Sequence, residues 1–488
     1  MESWLLLLHI LLALLFGLRV LYVQKNTGTA FAWLILLLLL PAAGALLYLL
    51  IGEPRLGRRR DKRSAEVTAF FKAFGSRYLT DNYGKVDERE IKAYNGIERI
   101  AGSNTGMDVT VGNRLELLHT TDTILEHMLA DIRGAQHSCL LEFYIIDPQG
   151  RITALLQAVM EAAKRGVDCR ILADAVGSHG FWRGEWPARL RAAGVDVQIA
   201  LPVSAWRSFF TRTDLRNHRK LLIVDHQVGY TGSFNLVDPQ YFKRDAGVGE
   251  WVDVMMRCRG PLVWQMAAVF YADMMLEKDE SLETAQARMG SLKTFLPEKE
   301  QVVAADGVNV QVVPSAPDQA EKVIYDTLLC ALYNAERKVV ITTPYFVPDD
   351  PLLTALTTAA RRGVEVTLVL PYKVDSVMVR YASQAYYPML LKAGVKIALF
   401  KEGLLHAKTM TIDDKLSLFG TVNMDMRSFF LNLEVSLAIY DEAITQMILQ
   451  QQQAYLAKSE YVTVKAWKMR SKWWSLVENS VRLVGPLL

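Results

Sequence analysis

Residues Asn217–Asn235 read NHRKLLIVDHQVGYTGSFN, and the same spelling returns in the second half of the chain. The first copy places His218, Lys220 and Asp225 ahead of Gly232-Ser233 and Asn235. The second, 188 positions later (406 − 218), places His406, Lys408 and Asp413 ahead of Gly420-Thr421 and Asn423, with every internal spacing unchanged. A single His-x-Lys-x₄-Asp is weak evidence, because short motifs arise by accident. An ordinary strand histidine satisfied by its neighbours would account for one copy, but not for the duplication together with its G-[S/T]-x-N tail.

Leu221–Val224 is an apolar run rich in β-branched residues, which predicts a strand. On a strand, residues two apart share a face, so His218 sits with Lys220, and Ser233 with Asn235 if that run is extended. A neutral imidazole, an ammonium, a hydroxyl and an amide then converge, which is a pocket for a phosphate under attack. Asp225 lies seven residues from His218 (225 − 218), an odd spacing, so it should point elsewhere and serve a scaffolding ion pair.

This pattern resembles the phospholipase D superfamily, whose members bring two such HKD motifs into one active site, and within it the bacterial two-motif cardiolipin synthases. A GE-x-R-x-G pattern followed by arginines at Gly52–Arg60 is similar to the same group. The resemblance implies that one histidine attacks a phosphodiester while the other protonates the leaving alcohol and then deprotonates the incoming one. By that analogy His218 is the nucleophile and His406 the acid. Lys220, Lys408, Asn235 and Asn423 would stabilise the charge on the phosphate oxygens, with Ser233 and Thr421 binding or orienting beside them. Glu434, 11 residues beyond Asn423 (434 − 423), takes the place of an acid that orients a histidine, and Glu250 is its less regular counterpart in the first half. The two imidazoles should start in opposite protonation states near neutral pH. No cofactor is implied, and a lysine two residues from each histidine would repel a metal dication.

The flanking sequence gives the organisation. Cys139–Ile146, Ile152–Arg165 and Val167–Asp174 read as strand, helix and strand, and Val339–Phe346, Leu352–Arg362 and Val364–Leu370 repeat them. Both helices end in near-identical runs, AAKRGV and AARRGV, with basic residues in the last turn and a glycine after it. The predicted fold class is α/β, with two phospholipase D-like lobes related by pseudo-twofold symmetry, each a β-sheet flanked by helices. Residues 106–285 and 300–460 are the lobes, joined by a linker over 280–305.

Ahead of the lobes, Leu5–Val23 and Ala30–Ile51 are apolar runs near the roughly 20 residues a bilayer span requires. They predict a two-helix transmembrane hairpin over 1–55, with Arg19 snorkelling to the interface, and 56–105 as a connector. Arg55, Arg58, Arg59, Arg60, Lys62 and Arg63 follow the second run, which by the positive-inside rule leaves the lobes in the cytoplasm at a bacterial inner membrane.

The first lobe carries about a dozen extra residues before its motif (Val203–Asp214), because Gly194 to His218 is longer than Gly394 to His406. Trp206, Arg207, Phe209, Phe210 and Arg212 in that insert suit a membrane interface. The tail, 461–488, places Trp473, Val477, Val481 and Val484 on one helical stripe, which fits either an interfacial helix or docking on the protein's own core.

Hydrophobic residues make up 51% of the chain and the mean hydropathy is +0.13, high for a wholly soluble protein. A net charge of only +3 supplies no basic field for nucleic acid, which argues against a nuclease. The four cysteines have no ligand-like spacing and read as buried thiols. The resemblance implies the membrane and a phospholipid as partners, with phosphatidylglycerol converted to cardiolipin and glycerol. The alternatives are a phospholipase D with water as acceptor and, from another class, a membrane scaffold without activity; the completeness of both motifs speaks against the scaffold.

Overall fold

The computed structural model describes residues 2–24, 27–53, 60, 62–70, 94–203, 212–278, 307–317, 322–483 and 485. The expected linker over 280–305 and the aromatic part of the insert (Trp206, Arg207, Phe209 and Phe210) lie outside them.

The first lobe contributes β1 (Thr110–Leu118), β2 (Ser138–Phe143), β3 (Asp168–Asp174) and β4 (Asp196–Ala200). It continues with β5 (Arg216–Asn217), β6 (Lys220–Val224), β7 (Val228–Gly232), β8 (Trp251–Val252) and β9 (Met255–Arg259). The second lobe begins with β10 (Val308–Ser315), β11 (Lys338–Thr342), β12 (Phe346–Val347), β13 (Glu365–Pro371) and β14 (Lys396–Phe400). Its later strands are β15 (Leu404–Leu405), β16 (Thr409–Ile412), β17 (Leu416–Gly420), β18 (Met424–Asp425), β19 (Asn432–Ile439) and β20 (Ser459–Tyr461).

In the first lobe the sheet order is β4-β3-β2-β6-β7-β9-β1, and in the second β14-β13-β11-β16-β17-β19-β10. The two orders correspond strand for strand. In each, three strands run parallel, joined by helical crossovers, and the motif hairpin (β6-β7 or β16-β17) continues the sheet antiparallel. The lobes are fused because β1 pairs antiparallel with β10, making one continuous sheet. The expected α/β class and internal duplication are thus present.

Each sheet is covered on one side by its own helices, Thr121–Gly134 and Arg151–Lys164 in the first lobe and Val323–Asn334 and Asp350–Arg361 in the second. A third core is shared. Helices Leu262–Lys278 and Glu442–Ala457, one from each lobe, bring Phe270, Met266, Ile448 and Leu449 into a single cluster with Met256 and Leu437. The apolar face of each lobe is therefore completed by the other. β19 is buried along its whole length.

The motif aspartates explain the hairpins. Asp225-His226 and Asp413-Asp414 are the turn residues, all at positive φ (52°, 56°, 51° and 62°), as a two-residue turn between twisted strands demands. The Asp225 carboxylate accepts N–H bonds from Gln136, His137 and Ser138 at 2.7–2.9 Å, and Asp413 accepts those of Glu336, Arg337 and Lys338 at 2.7–2.8 Å. Each aspartate ties its turn to the start of the neighbouring parallel strand. The expected scaffolding role holds, but the partners are backbone amides instead of an ion pair.

The N-terminal segment departs from a simple hairpin. Its first helix is Glu2–Val23; the second expected span is divided into Thr27–Leu39 and Pro41–Ile51. Leu40 leaves helical geometry (φ −138°, ψ 69°), and Pro41 cannot donate the bond that would continue the helix. At 13 and 11 residues these pieces reach only about 20 and 16 Å. Among the described residues no helix is long and apolar enough to cross a membrane. Arg19, half exposed, makes a two-pronged ion pair with Glu53 at 2.7 and 2.9 Å, tying the first helix to the end of the third.

Candidate active site

Each motif enters its own sheet by way of the other lobe. β5 adds in parallel to β19, and the His218 N–H donates to the Leu433 carbonyl at 2.9 Å. In mirror fashion β15 adds to β8, and the His406 N–H donates to the Val252 carbonyl at 2.8 Å. The residue following each acceptor is an acid. Glu434 receives the His218 Nδ1–H, both its oxygens lying at 2.9 Å, and Asp253 receives the His406 Nδ1–H at 2.7 Å. A carboxylate on Nδ1 fixes the tautomer that leaves the Nε2 lone pair free. Each histidine is therefore oriented by an acid from the opposite lobe.

The hydroxyls serve the acids. Thr421 Oγ1 donates to Glu434 at 2.5 Å while accepting the Val435 N–H, and Ser233 Oγ donates to Asp253 at 2.6 Å while accepting the Val254 N–H. The glycine before each hydroxyl is a steric requirement. A Cβ at Gly232 or Gly420 would fall 2.5 Å or less from the Val254 or Val435 carbonyl oxygen of the facing strand. Of the roles foreseen for Ser233 and Thr421, the geometry provides the orienting one.

Lys220 and Lys408 are buried and donate to the carbonyls of their own histidines, at 2.7 and 2.6 Å. Asn235 accepts the Ile145 N–H at 3.2 Å and leaves its buried Nδ2 without a protein partner; the Oδ1 of Asn423 is likewise buried without one. These amide ends remain available to a ligand. Tyr144 packs edge-on to His218 (centroids 5.0 Å apart) and Trp251 tilts against His406 (4.3 Å), which holds both rings in place.

Burial and charge set the protonation. Burial drives His218 down to about 4, against the raising effect of Glu434, with Lys220 and Lys408 adding to the depression. Burial likewise drives His406 to about 4, assisted by Lys408 and opposed by Asp253. Glu434 and Asp253, though desolvated, are held below the usual carboxylate range by their histidines. Burial lowers Lys220 to about 8 and Lys408 well below its ordinary value, the latter helped by Lys220. Each side chain thus feels the charge of the opposite motif, so the two halves form one electrostatic unit. Burial favours the neutral form of both imidazoles, and each carboxylate opposes it.

Two expectations, those for Glu250 and Arg212, are corrected. Glu250 is exposed; only its backbone carbonyl takes part, accepting the Leu404 N–H at 2.9 Å. Asp253 occupies the place proposed for it. The loop after Asn235 is longer than its counterpart (253 − 235 = 18 against 434 − 423 = 11), so the spacing taken from the second half fell short. The available signal was the dipeptide Asp253-Val254, which repeats Glu434-Val435 at the edge of each strand. Asp225 and Asp413 stand at the far end of their strands, about 17 Å beyond the lysines, outside the reacting group. Arg212 is not free for an interface: it pairs with Asp214, which also binds Arg427.

Arg219, between the motif's two named residues, was not singled out by sequence. It donates to the Glu434 and Ser315 carbonyls, both at 3.0 Å, and pairs with Asp273. The second motif has Ala407 there, so this clasp is not repeated. Among the described residues no group of three or more His, Cys, Asp and Glu side chains could hold a metal ion. Asp253→Asn should lower turnover by about 10²- to 10⁴-fold, the range seen when the acid behind an imidazole is neutralised, whereas Glu250→Gln should stay within about twofold of wild type. Steady-state kinetics of the two variants checks this, and the reverse ranking would contradict the geometry.

A family model described as "Cardiolipin synthase, PLD-like domain" matches residues 128–247 and 328–455, one match in each lobe, and one described as "Phospholipase_D-nuclease N-terminal" matches 5–53. The chain is 40% identical to cardiolipin synthase A of Erwinia tasmaniensis over 474 residues, covering 96% of this chain and 95% of that one. It is 39% identical to the proteins of the same name from Yersinia pseudotuberculosis and Serratia proteamaculans over equal shares. Among solved structures, phosphatidylserine synthase of Haemophilus influenzae shares the fold, with a TM-score of 0.58 at 14% identity over 82% of this chain and 100% of that chain. Likeness to these relatives extends over nearly their whole length, and the chain belongs to the cardiolipin synthase family of the phospholipase D superfamily.

Proposed function

We propose that the chain is a phosphatidyltransferase that joins two phosphatidylglycerols into cardiolipin and releases glycerol. The observation that carries this reading is the pair of imidazoles, each hydrogen-bonded through Nδ1 to a carboxylate and flanked by a buried lysine, in a chain so similar to proteins named cardiolipin synthase A. His218 Nε2 attacks the donor phosphorus, the bond to the glycerol oxygen breaks, and His406 supplies the proton that oxygen needs. The hydroxyl of a second phosphatidylglycerol then gives its proton to His406 and attacks the phosphorus, and the N–P bond breaks. Lys220 and Lys408 balance charge on the non-bridging oxygens, and the free Nδ2 of Asn235 can donate to one of them. The phosphodiester anion opposes the field of the lysines, so its arrival favours protonation of one imidazole and creates the asymmetry that the protein's own groups do not supply.

Transfer wins over hydrolysis when the acceptor is held and water kept out, and well-oriented groups reach effective molarities of about 10⁵ M or more. Both histidines are nearly buried, which supports transfer. The N-terminal helices turn Leu7, Leu11, Leu14, Leu18, Leu21 and Phe31 outward, an apolar surface suited to lipid. That surface supports attachment at the inner membrane with the lobes cytoplasmic, as the basic run after it requires.

With phosphatidylglycerol vesicles, lipid mass spectrometry should find cardiolipin and glycerol as main products and phosphatidic acid as a minor one. Mostly phosphatidic acid would make the protein a phospholipase D. Protease added to sealed right-side-out vesicles should leave the lobes intact, and their digestion would reverse the topology.

A further inference from the structure

The tail stripe expected from sequence is split by the fold. On helix Lys472–Arg482, Val481 packs onto the core of the second lobe, Trp474 stacks on Tyr381 (5.6 Å, 14°), and Glu478 is buried against Arg470. Trp467 packs on Tyr387 before the helix, and Gly485 is buried beside Val347 and Met426 after it, so the segment is pinned at both ends. The opposite side of the helix stays uncovered. Trp473, Leu476 and Leu483 are 66%, 57% and 79% exposed, and their spacing puts them on one face. Val377 and Met378 on the neighbouring helix Val377–Gln384 are exposed too, four and three residues before Tyr381, hence on the side where Trp474 stacks.

The surroundings of this patch are basic. Lys465, Lys468, Lys472 and Arg482 lie on the segment and Arg380 beside it; the only acid from 464 to 483 is Glu478, buried and already paired. Its position is equally specific. Asp375, two residues before Val377, accepts from Tyr345 (2.7 Å) and Lys243 (3.1 Å), the latter from the other lobe. Val347, beside Gly485, pairs with Asp425, two residues past Asn423. Asp375 also senses the charge of His406, so the patch begins two residues from a group that adjoins the site.

We infer that helices Lys472–Arg482 and Val377–Gln384 form a second membrane contact, an aromatic and basic patch that docks on an anionic bilayer and turns the mouth of the site toward the leaflet. Tryptophan and leucine ringed by lysine and arginine fit the interfacial zone, where rings sit at headgroup level and cations meet anionic lipid. An isolated exposed leucine needs no explanation, whereas an apolar strip of this extent beside the site does. This inference rests on the lipid-substrate reading, but its first readout does not depend on turnover.

The test uses the full chain with Cys330 replaced by serine and Leu476→Cys carrying an environment-sensitive fluorophore, reconstituted in vesicles. Emission should shift to the blue, and be quenched by spin-labelled lipid, in phosphatidylglycerol-containing vesicles more than in phosphatidylcholine ones. A second arm uses Trp473→Ser/Leu476→Ser. Its rate on vesicle phosphatidylglycerol should fall at least fivefold, with the rate on a water-soluble short-chain phosphatidylglycerol unchanged. Water-like emission in both vesicle types would overturn the inference. So would a blue shift that lipid quenchers do not touch, which would mean a protein partner such as a second copy. Equal loss on both substrates would make the helix a folding element and overturn it as well.

Discussion

Two hydrogen bonds that cross between the lobes, His218 to Glu434 and His406 to Asp253, are what the site depends on. A buried carboxylate is costly unless it is paired and its remaining lone pairs are used. Here each acid has its imidazole and a hydroxyl, and Glu434 also accepts from Asn432 at 3.2 Å. Because the acid on one lobe is satisfied by the histidine of the other, neither lobe holds a finished site alone. The backbone enforces the same exchange, since the approach to each motif is hydrogen-bonded to the strand just ahead of the partner acid. The fused sheet and the shared core of Phe270, Ile448 and their neighbours keep these bonds in register.

The same closeness sets the chemistry. Four cationic or potentially cationic groups and two acids share a desolvated volume, and burial moves every base among them toward its neutral form. The two carboxylates offset the lysines that remain charged, so the cluster is held near neutrality. Symmetry is nearly complete in the first contacts and ends just behind them. Arg219 clasps the strand of Glu434, and nothing equivalent follows His406, where Ala407 stands. The two histidines therefore sit on differently reinforced supports.

Much of this was legible in the sequence because the duplication is spelled in polar residues whose spacing cannot drift. Strand, turn and facing strand fix the distance from His218 to Asn235, so the copies agree. Glu434 was legible because a short connection separates it from Asn423. Asp253 was not, because seven more residues lie in the corresponding loop (18 − 11), including Lys243, whose ion pair with Asp375 joins the two lobes. Once the hairpins are paired, register identifies it at once: Gly232 faces Met255 as Gly420 faces Ser436, and each acid lies two residues earlier. Composition alone carried the N-terminal reading. It recorded that the second apolar run is long enough, but gave too little weight to Pro41, which divides it. The tail was left open between two readings, since periodicity reports that a face is apolar without saying which neighbour covers it.

The central claim is that two half-sites make one reacting centre. Its most direct test is the stoichiometry of the covalent intermediate. Acid quenching during turnover of phosphatidylglycerol labelled at phosphorus should trap at most one phosphatidyl group per chain, all of it on His218. Two groups per chain, one on each histidine, would mean that the lobes react independently and would contradict the account.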